Sequence, residues 1–286
     1  MNKIIACIDG SSATPGICDA AAWAQRQLEA PLELLHVLEK QHTPAGGDMS
    51  GNIGLGTREQ LMEQLAELDH QRSRILLEQG RLMLAEAQQR IAAAGVPADM
   101  IAQRQRHDTL IDSLLEFEAD TRLLVMGRQG EAHADARGAV GSHLETATRT
   151  LHRPILVSVG EFATPQRFML AYDGSQTADK ALDMVTRSPL LRGADCHLVS
   201  AGSGTQSKQS QLQQAQQALQ SAGFDVTSAQ TDGGEVVDAL LAHVDAQRID
   251  LVIMGAWGHS RIRQFLVGSV TSAMLHRSRV PLLLLR

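Results

Sequence analysis

The fold class predicted from the sequence is α/β: two doubly wound parallel-sheet domains in tandem, each a three-layer sandwich. Three observations predict it. The chain has 286 residues, enough for two ordinary domains. Three segments of its first half return in the same order in the second. Continuous apolar runs of strand length alternate with helix-like segments, as in a parallel sheet covered on both faces.

The repeat is explicit. IIACIDGS at 4–11 answers FMLAYDGS at 168–175, and LLVMGRQG at 123–130 answers LVIMGAWG at 251–258. GSHLETATRTLHRPILVSV at 141–159 answers GSVTSAMLHRSRVPLLLL at 268–285. The polar stretch Gly160–Gln166, with Pro165, divides the chain into domains at 1–160 and 166–286.

In the first half Lys3–Ile8 reads as a short buried strand and Thr14–Ala30 as a helix with Trp23 and Leu28 on its apolar face. Leu32–Leu38 is a strand, Thr57–Ala94 a helix, Asp99–Gln105 a weak strand and Thr109–Glu118 a helix. Leu123–Met126 is a strand, His143–Leu151 a helix and Ile155–Val159 the last strand. The second half repeats this from Arg167 to Leu285, with a shorter second helix near Ser207–Ala222. Right-handed crossovers then leave the doubly wound sandwich.

The segment 57–94 is long for a helix, roughly 57 Å at 1.5 Å per residue. That length calls for a bend near Gly80 or a protruding arm. Leu61, Leu65, Leu68 and Leu76 form an apolar stripe whose ordinary role is to face the core; the alternative is a partner surface.

A net charge of −6, with no long run of lysine or arginine, argues against nucleic acid as the main partner. Aromatics at 3% argue against a stacking platform for single strands. No stretch approaches the roughly 18–20 apolar residues of a spanning helix, and the N-terminus is too short in its apolar run for a signal peptide. No membrane partner is expected, and the cytoplasm is the simplest location. Cys7, Cys18 and Cys196 show no metal spacing and no closed disulfide framework, so core packing in a reducing compartment is their default. The eleven histidines form no metal pattern.

Ligands of doubly wound sheets bind outside the carboxyl ends of the strands. There the sequence places Asp9-Gly10-Ser11, Gly127 to Gly130, Asp173-Gly174-Ser175 and Gly255 to Gly258. The richest stretch is GAWGHSRIRQFLVGSVTSAML. Gly255 and Gly258 follow a strand, and Gly268 and Ser269 open a helix nine residues later. Glycines admit an anion close to the backbone, and the free N–H groups of a helix start favour phosphate. Ser269 and Thr271 add hydroxyls, and His259, Arg261 and Arg263 add positive charge. Against this, the glycines can serve only to turn the chain. Asp173 suits a ribose hydroxyl or an adenine amine, and equally an Asx turn or helix cap. No Walker lysine follows the glycines and no nucleophile elbow holds Ser11 or Ser175.

The pattern Gly-x2-Gly-x9-Gly-Ser, with an aspartate ending the first strand, resembles the ATP-binding signature of the universal stress protein family. The resemblance runs once through each half. It implies a five-stranded parallel sheet in the order 3-2-1-4-5, with ATP or AMP, accompanied by Mg where the phosphates need it, in the crevice between strands 1 and 4. By resemblance Asp173 contacts the nucleoside, and Met254, Gly255, Gly258, His259, Gly268, Ser269 and Val270 surround phosphates and ribose. Ala201 faces the adenine through its backbone. The resemblance also implies pairing through the last strand. Here that would join the two halves as an intramolecular pseudo-dimer, and a homodimer stays open.

The first half departs from the pattern. Its spacing, Gly127-x2-Gly130-x10-Gly141-Ser142, is one residue longer. The insert carries Glu131 and Asp135, which repel phosphates, against His133 and Arg137. Asp9, Val37, Gly127, Gly130, Gly141 and Ser142 keep their places. The expectation is a non-enzymatic nucleotide-binding stress protein, with nucleotide mainly in the C-terminal domain. The alternatives are a slow ATPase, an autophosphorylating protein accepting at Ser269 or Thr271, and a nucleotide-free scaffold for another small ligand.

Overall fold

The computed structural model describes residues 2–39, 55–130, 140–201, 206–231, 235–256 and 269–286. The first half runs β1 Lys3–Cys7, α1 Thr14–Leu28, β2 Leu32–Leu38, α2 Leu55–Ala93, β3 Ile101–His107, α3 Leu110–Phe117, β4 Thr121–Gly127, α4 Ser142–Thr150 and β5 Ile155–Ser158. The second runs β6 Arg167–Ala171, α5 Gln176–Arg187, β7 Asp195–Ala201, α6 Gln206–Ser221, β8 Val226–Thr231, α7 Val236–Gln247, β9 Leu251–Gly255, α8 Ser269–Arg277 and β10 Leu282–Leu285.

Among the described residues these strands form one sheet, β3-β2-β1-β4-β5-β10-β9-β6-β7-β8. Each half has the order 3-2-1-4-5, and every pairing inside a half is parallel. The halves join through their last strands, which pair antiparallel with Leu156 opposite Leu283. Two apolar edges that would otherwise be exposed are thereby paired within the chain.

Period-two alternation builds two core layers. On β1, Ile4 and Ala6 face a layer shared with α1 and the C-terminal part of α2, while Ile5 faces the layer of α3 and α4. The second half repeats this with Phe168 and Leu170 on one side and Met169 on the other. α1 lies close because small residues line it: a Cβ on Gly16 would fall 2.2 Å from the Gly160 carbonyl oxygen. Trp23 packs at 5.5 Å on Phe162 and so ties the connection between the halves to α1. Burial pushes the thiols of Cys7, Cys18 and Cys196 up to about 12, which leaves them inert packing groups.

The long helix corrects one expectation. α2 is continuous for 39 residues and has no break at Gly80. From Gly80 onward it packs on the sheet through Leu84, Ala87 and Ile91. Residues 61–79 include no buried side chain. The stripe is therefore not core: Leu65, Leu68 and Leu76 are 49%, 60% and 38% exposed, and Leu61 is only half-buried. The reason is length. A 39-residue helix spans roughly 58 Å, whereas the seven residues of β2 rise roughly 23 Å. The helix outruns the layer it covers and projects past the carboxyl ends of the strands. No helix among the described residues is long and apolar enough to cross a membrane.

Candidate functional site

The carboxyl ends of β1, β2 and β4, the start of α4 and the projecting part of α2 enclose a cleft of about 690 Å³. All six first-half residues expected from the sequence line it: Asp9, Val37, Gly127, Gly130, Gly141 and Ser142.

Each glycine has a local reason. Gly10 sits at φ +75°, and a Cβ there would lie 2.2 Å from Met83 Sδ. Two requirements, a left-handed backbone and an overlying sulfur, thus fall on one position. A Cβ on Gly127 would crowd Ala13 at 2.8 Å, and one on Gly130 would approach Asp9 Oδ2 at 3.2 Å. The Gly141 N–H donates to the Arg128 carbonyl at 2.9 Å, closing the neck of the loop between them. Gly141 is also the N-cap of α4 and supplies no side-chain cap. No N-cap side chain therefore takes up the first N–H groups of that nine-residue helix, and Ser142, His143 and Leu144 line the cleft there. This arrangement suits a phosphate.

Asp9 Oδ1 accepts the Ser11 N–H at 3.0 Å, holding the turn after β1. His36 Nδ1 lies 2.7 Å from the Ile8 carbonyl oxygen. A carbonyl only accepts, so Nδ1 carries a proton, which in the uncharged tautomer leaves Nε2 as an acceptor. That Nε2 is buried and has no partner among the described residues. A buried acceptor without a donor is costly, and a ligand N–H or O–H would relieve it.

The sequence did not single out His36 nor, Leu76 apart, the roof of the cleft. Asp69, Arg72, Ser73, Leu76, Gln79 and Met83 of α2 line it together with Glu39, His107 and His143. Their helical spacing was the available signal, but polar residues at that spacing ordinarily mean a solvated face. Arg128 does the opposite of what its place between two glycines suggests. It reaches the other half and donates to the Ser278 carbonyl at 2.6 Å, and burial lowers its pKa. Among the described residues no group of three or more His, Cys, Asp or Glu is placed to hold a metal ion.

In the second half the register sets Ala171 opposite Met254, which brings the turn after β6 beside Gly255. Asp173 Oδ1 accepts the Ser175 N–H at 2.9 Å, and the Ser175 hydroxyl accepts the Ala178 N–H to cap α5. The Asx-turn role of Asp173 is thus realised. Gly174 has φ +74°, and a Cβ there would meet Gln211 Oε1 at 2.6 Å. A Cβ on Gly255 would meet Thr177 at 2.9 Å. Ala201 ends β7, the strand beside β6. Ser269 is exposed at the start of α8, Val270 is half-buried, and Thr271 is buried, so Thr271 is not an accessible phosphate acceptor. Gly258, His259 and Gly268, with Trp257, Arg261 and Arg263, lie outside the described residues. So do Glu131, His133, Asp135 and Arg137 of the first-half insert.

The model of the universal stress protein family matches residues 1–158 and 200–286. Universal stress protein Slr1230 of Synechocystis is 31% identical over 290 residues, covering 100% of both chains. A universal stress protein of Archaeoglobus fulgidus superposes with a TM-score of 0.69 at 17% identity, over 100% of this chain and 98% of that one. A functionally unknown protein of Pseudomonas aeruginosa, PA1789, does so with a TM-score of 0.63 at 13% identity, over 100% and 92%. At these identities the two structures speak for the fold, and the family match and the Synechocystis relative speak for descent. The chain belongs to the universal stress protein family.

Proposed function

We propose that this chain is a stress-response protein that binds ATP or AMP and acts through the bound nucleotide rather than by turning it over. The observation that carries this is the first cleft. Six residues expected from the sequence motif converge on about 690 Å³, a volume inside the range of roughly 300–1,000 Å³ for small-molecule sites. An uncapped helix start lies at one side of it, and an unpartnered His36 nitrogen lies in its wall. Gly141, Ser142 and the amides after them would hold the phosphates, with magnesium entering alongside ATP. The domains of this proposal are residues 1–160 and 166–286, in the cytoplasm.

The second half is assigned the tighter site. Its Gly-x2-Gly-x9-Gly-Ser spacing is unaltered, and no counterpart of Glu131 or Asp135 interrupts it. Asp9 and Asp173 already hold backbone N–H groups, which suits nucleoside contact better than proton abstraction. The test is calorimetric titration of the full chain with ATP. Gly268→Val should weaken the tighter binding event by about a hundredfold, the loss of one or two charge-assisted contacts. Unchanged affinity would reject the site. Phosphate found on Ser269 by mass spectrometry after incubation with ATP would favour autophosphorylation instead.

A further inference from the structure

Where the halves meet, a second cleft of about 540 Å³ opens on the face that carries α1 and α5, with Leu285 and Arg286 at the carboxyl end of β10 in its wall. Both halves build it. Leu28 and Leu123 come from the first, and Leu191 and Leu283 from the second, all buried. This gives it an apolar lining at the join made by β5 and β10.

Its charge departs from that of the chain. The protein carries −6 overall, yet the charged side chains of this cleft are Arg122, Lys180, Arg187 and Arg286 against one carboxylate, Asp183. Asp183 is engaged by Arg187 at 2.8 Å. Arg122 donates to the Leu28 carbonyl and Arg286 to the carbonyls of Arg149 and Leu151, contacts that fix the guanidinium groups, and the Glu118 carboxylate acts on Arg286 from outside the cleft lining. Lys180 has no ionic partner among the described residues. An apolar lining with a cationic rim is complementary to a ligand with an aliphatic body and an anionic head.

We propose that this inter-half cleft binds a small amphipathic anion, a carboxylate on an aliphatic chain, at a site lined by none of the residues assigned to the nucleotide crevices. Binding there would register the docking of the two halves, because each supplies part of the wall.

The experiment uses the full chain and decanoate below its micellar concentration, followed by calorimetry. Saturable binding with one site per chain is expected. 1-Decanol, equal in body but uncharged, should bind about tenfold more weakly or worse, the loss of one charge-assisted contact. Lys180→Glu should weaken decanoate by a similar factor, and Met184→Trp, which fills the cleft without changing its charge, should abolish binding. Both variants should unfold at the temperature of the wild type. ATP should not displace decanoate. The proposal is overturned by absence of saturable binding, by equal affinity for decanol, by indifference to both substitutions, or by competition with ATP. The last result would place the carboxylate in a nucleotide crevice and leave the nucleotide proposal standing.

Discussion

In the first half a side chain on Gly10 would strike Met83 of α2; in the second, a side chain on Gly174 would strike Gln211 of α6. The two turns are the same object, at φ +75° and +74°, each following a strand and held by an aspartate that accepts the N–H two residues on. Their covers differ. One is a thioether on a helix of 39 residues that reaches past the sheet, the other an amide on a helix of 16. Duplication has preserved what the backbone requires and left free what merely lies over it. The two crevices should therefore share a way of holding phosphate and differ in what they ask of the rest of the ligand.

The sharpest way to break this contrast is to lift the first cover. Gly80 is where α2 settles on the sheet, and a Cβ there would lie 2.2 Å from Gln105 Nε2 and 2.6 Å from His36 Cδ2. Gln105 can swing aside. The His36 ring is buried and tied to the Ile8 carbonyl. Gly80→Val should destabilise the chain by about 1–3 kcal/mol by overpacking, measured by urea denaturation. A neutral or stabilising result would show that the contact yields.

A smaller effect is expected at His36 itself. His36→Phe keeps the ring and removes the unpartnered acceptor. In a Gly268→Val background, where only the first crevice is left to bind, ATP affinity should fall by about tenfold, the value of one hydrogen bond. Equal affinity would mean that no group of the nucleotide reaches the nitrogen.

The second half carries a pH response of its own. His197 of β7 and His243 of α7 stack edge to face with ring nitrogens 3.3 Å apart. Burial lowers both pKa values, and His197 lowers that of His243 further. The unfolded chain takes up protons near pH 6.5 that the folded pair refuses. Stability should be flat above that pH and decline as pH falls through it toward the lowered folded values. Melting temperature against pH would show the decline, and His243→Gln should reduce it. A profile unchanged by the substitution would assign the decline elsewhere.

The smallest effect belongs to the arm. Leu68 is 60% exposed, so Leu68→Glu should change stability by less than about 0.5 kcal/mol. A loss several times larger would mean that the stripe is covered in solution.

These regions also mark what the sequence discloses. Strand positions were legible because continuous apolar runs and Asp-Gly turns follow from local chemistry, whereas the strand order and the six residues of the first crevice were reached only through the family resemblance. The alternation of Ile4, Ile5 and Ala6 already states which layer each joins. The stripe at Leu65 and Leu68 was misread because periodicity reports that a face is apolar, not that anything covers it. The roof residues Arg72 and Ser73 stayed hidden for the converse reason: a polar helix face looks solvated until the helix is seen crossing a cleft. Arg128 is held by Ser278 at a sequence separation of 150, a contact no local pattern encodes.

The central claim is that the crevices at the strand ends take an adenine nucleotide. Equilibrium dialysis of the full-length chain against ATP tests it most directly. Saturable uptake is expected, reaching at least one nucleotide per chain and reduced by Gly268→Val. Absence of saturable uptake by the folded wild-type chain would contradict the account.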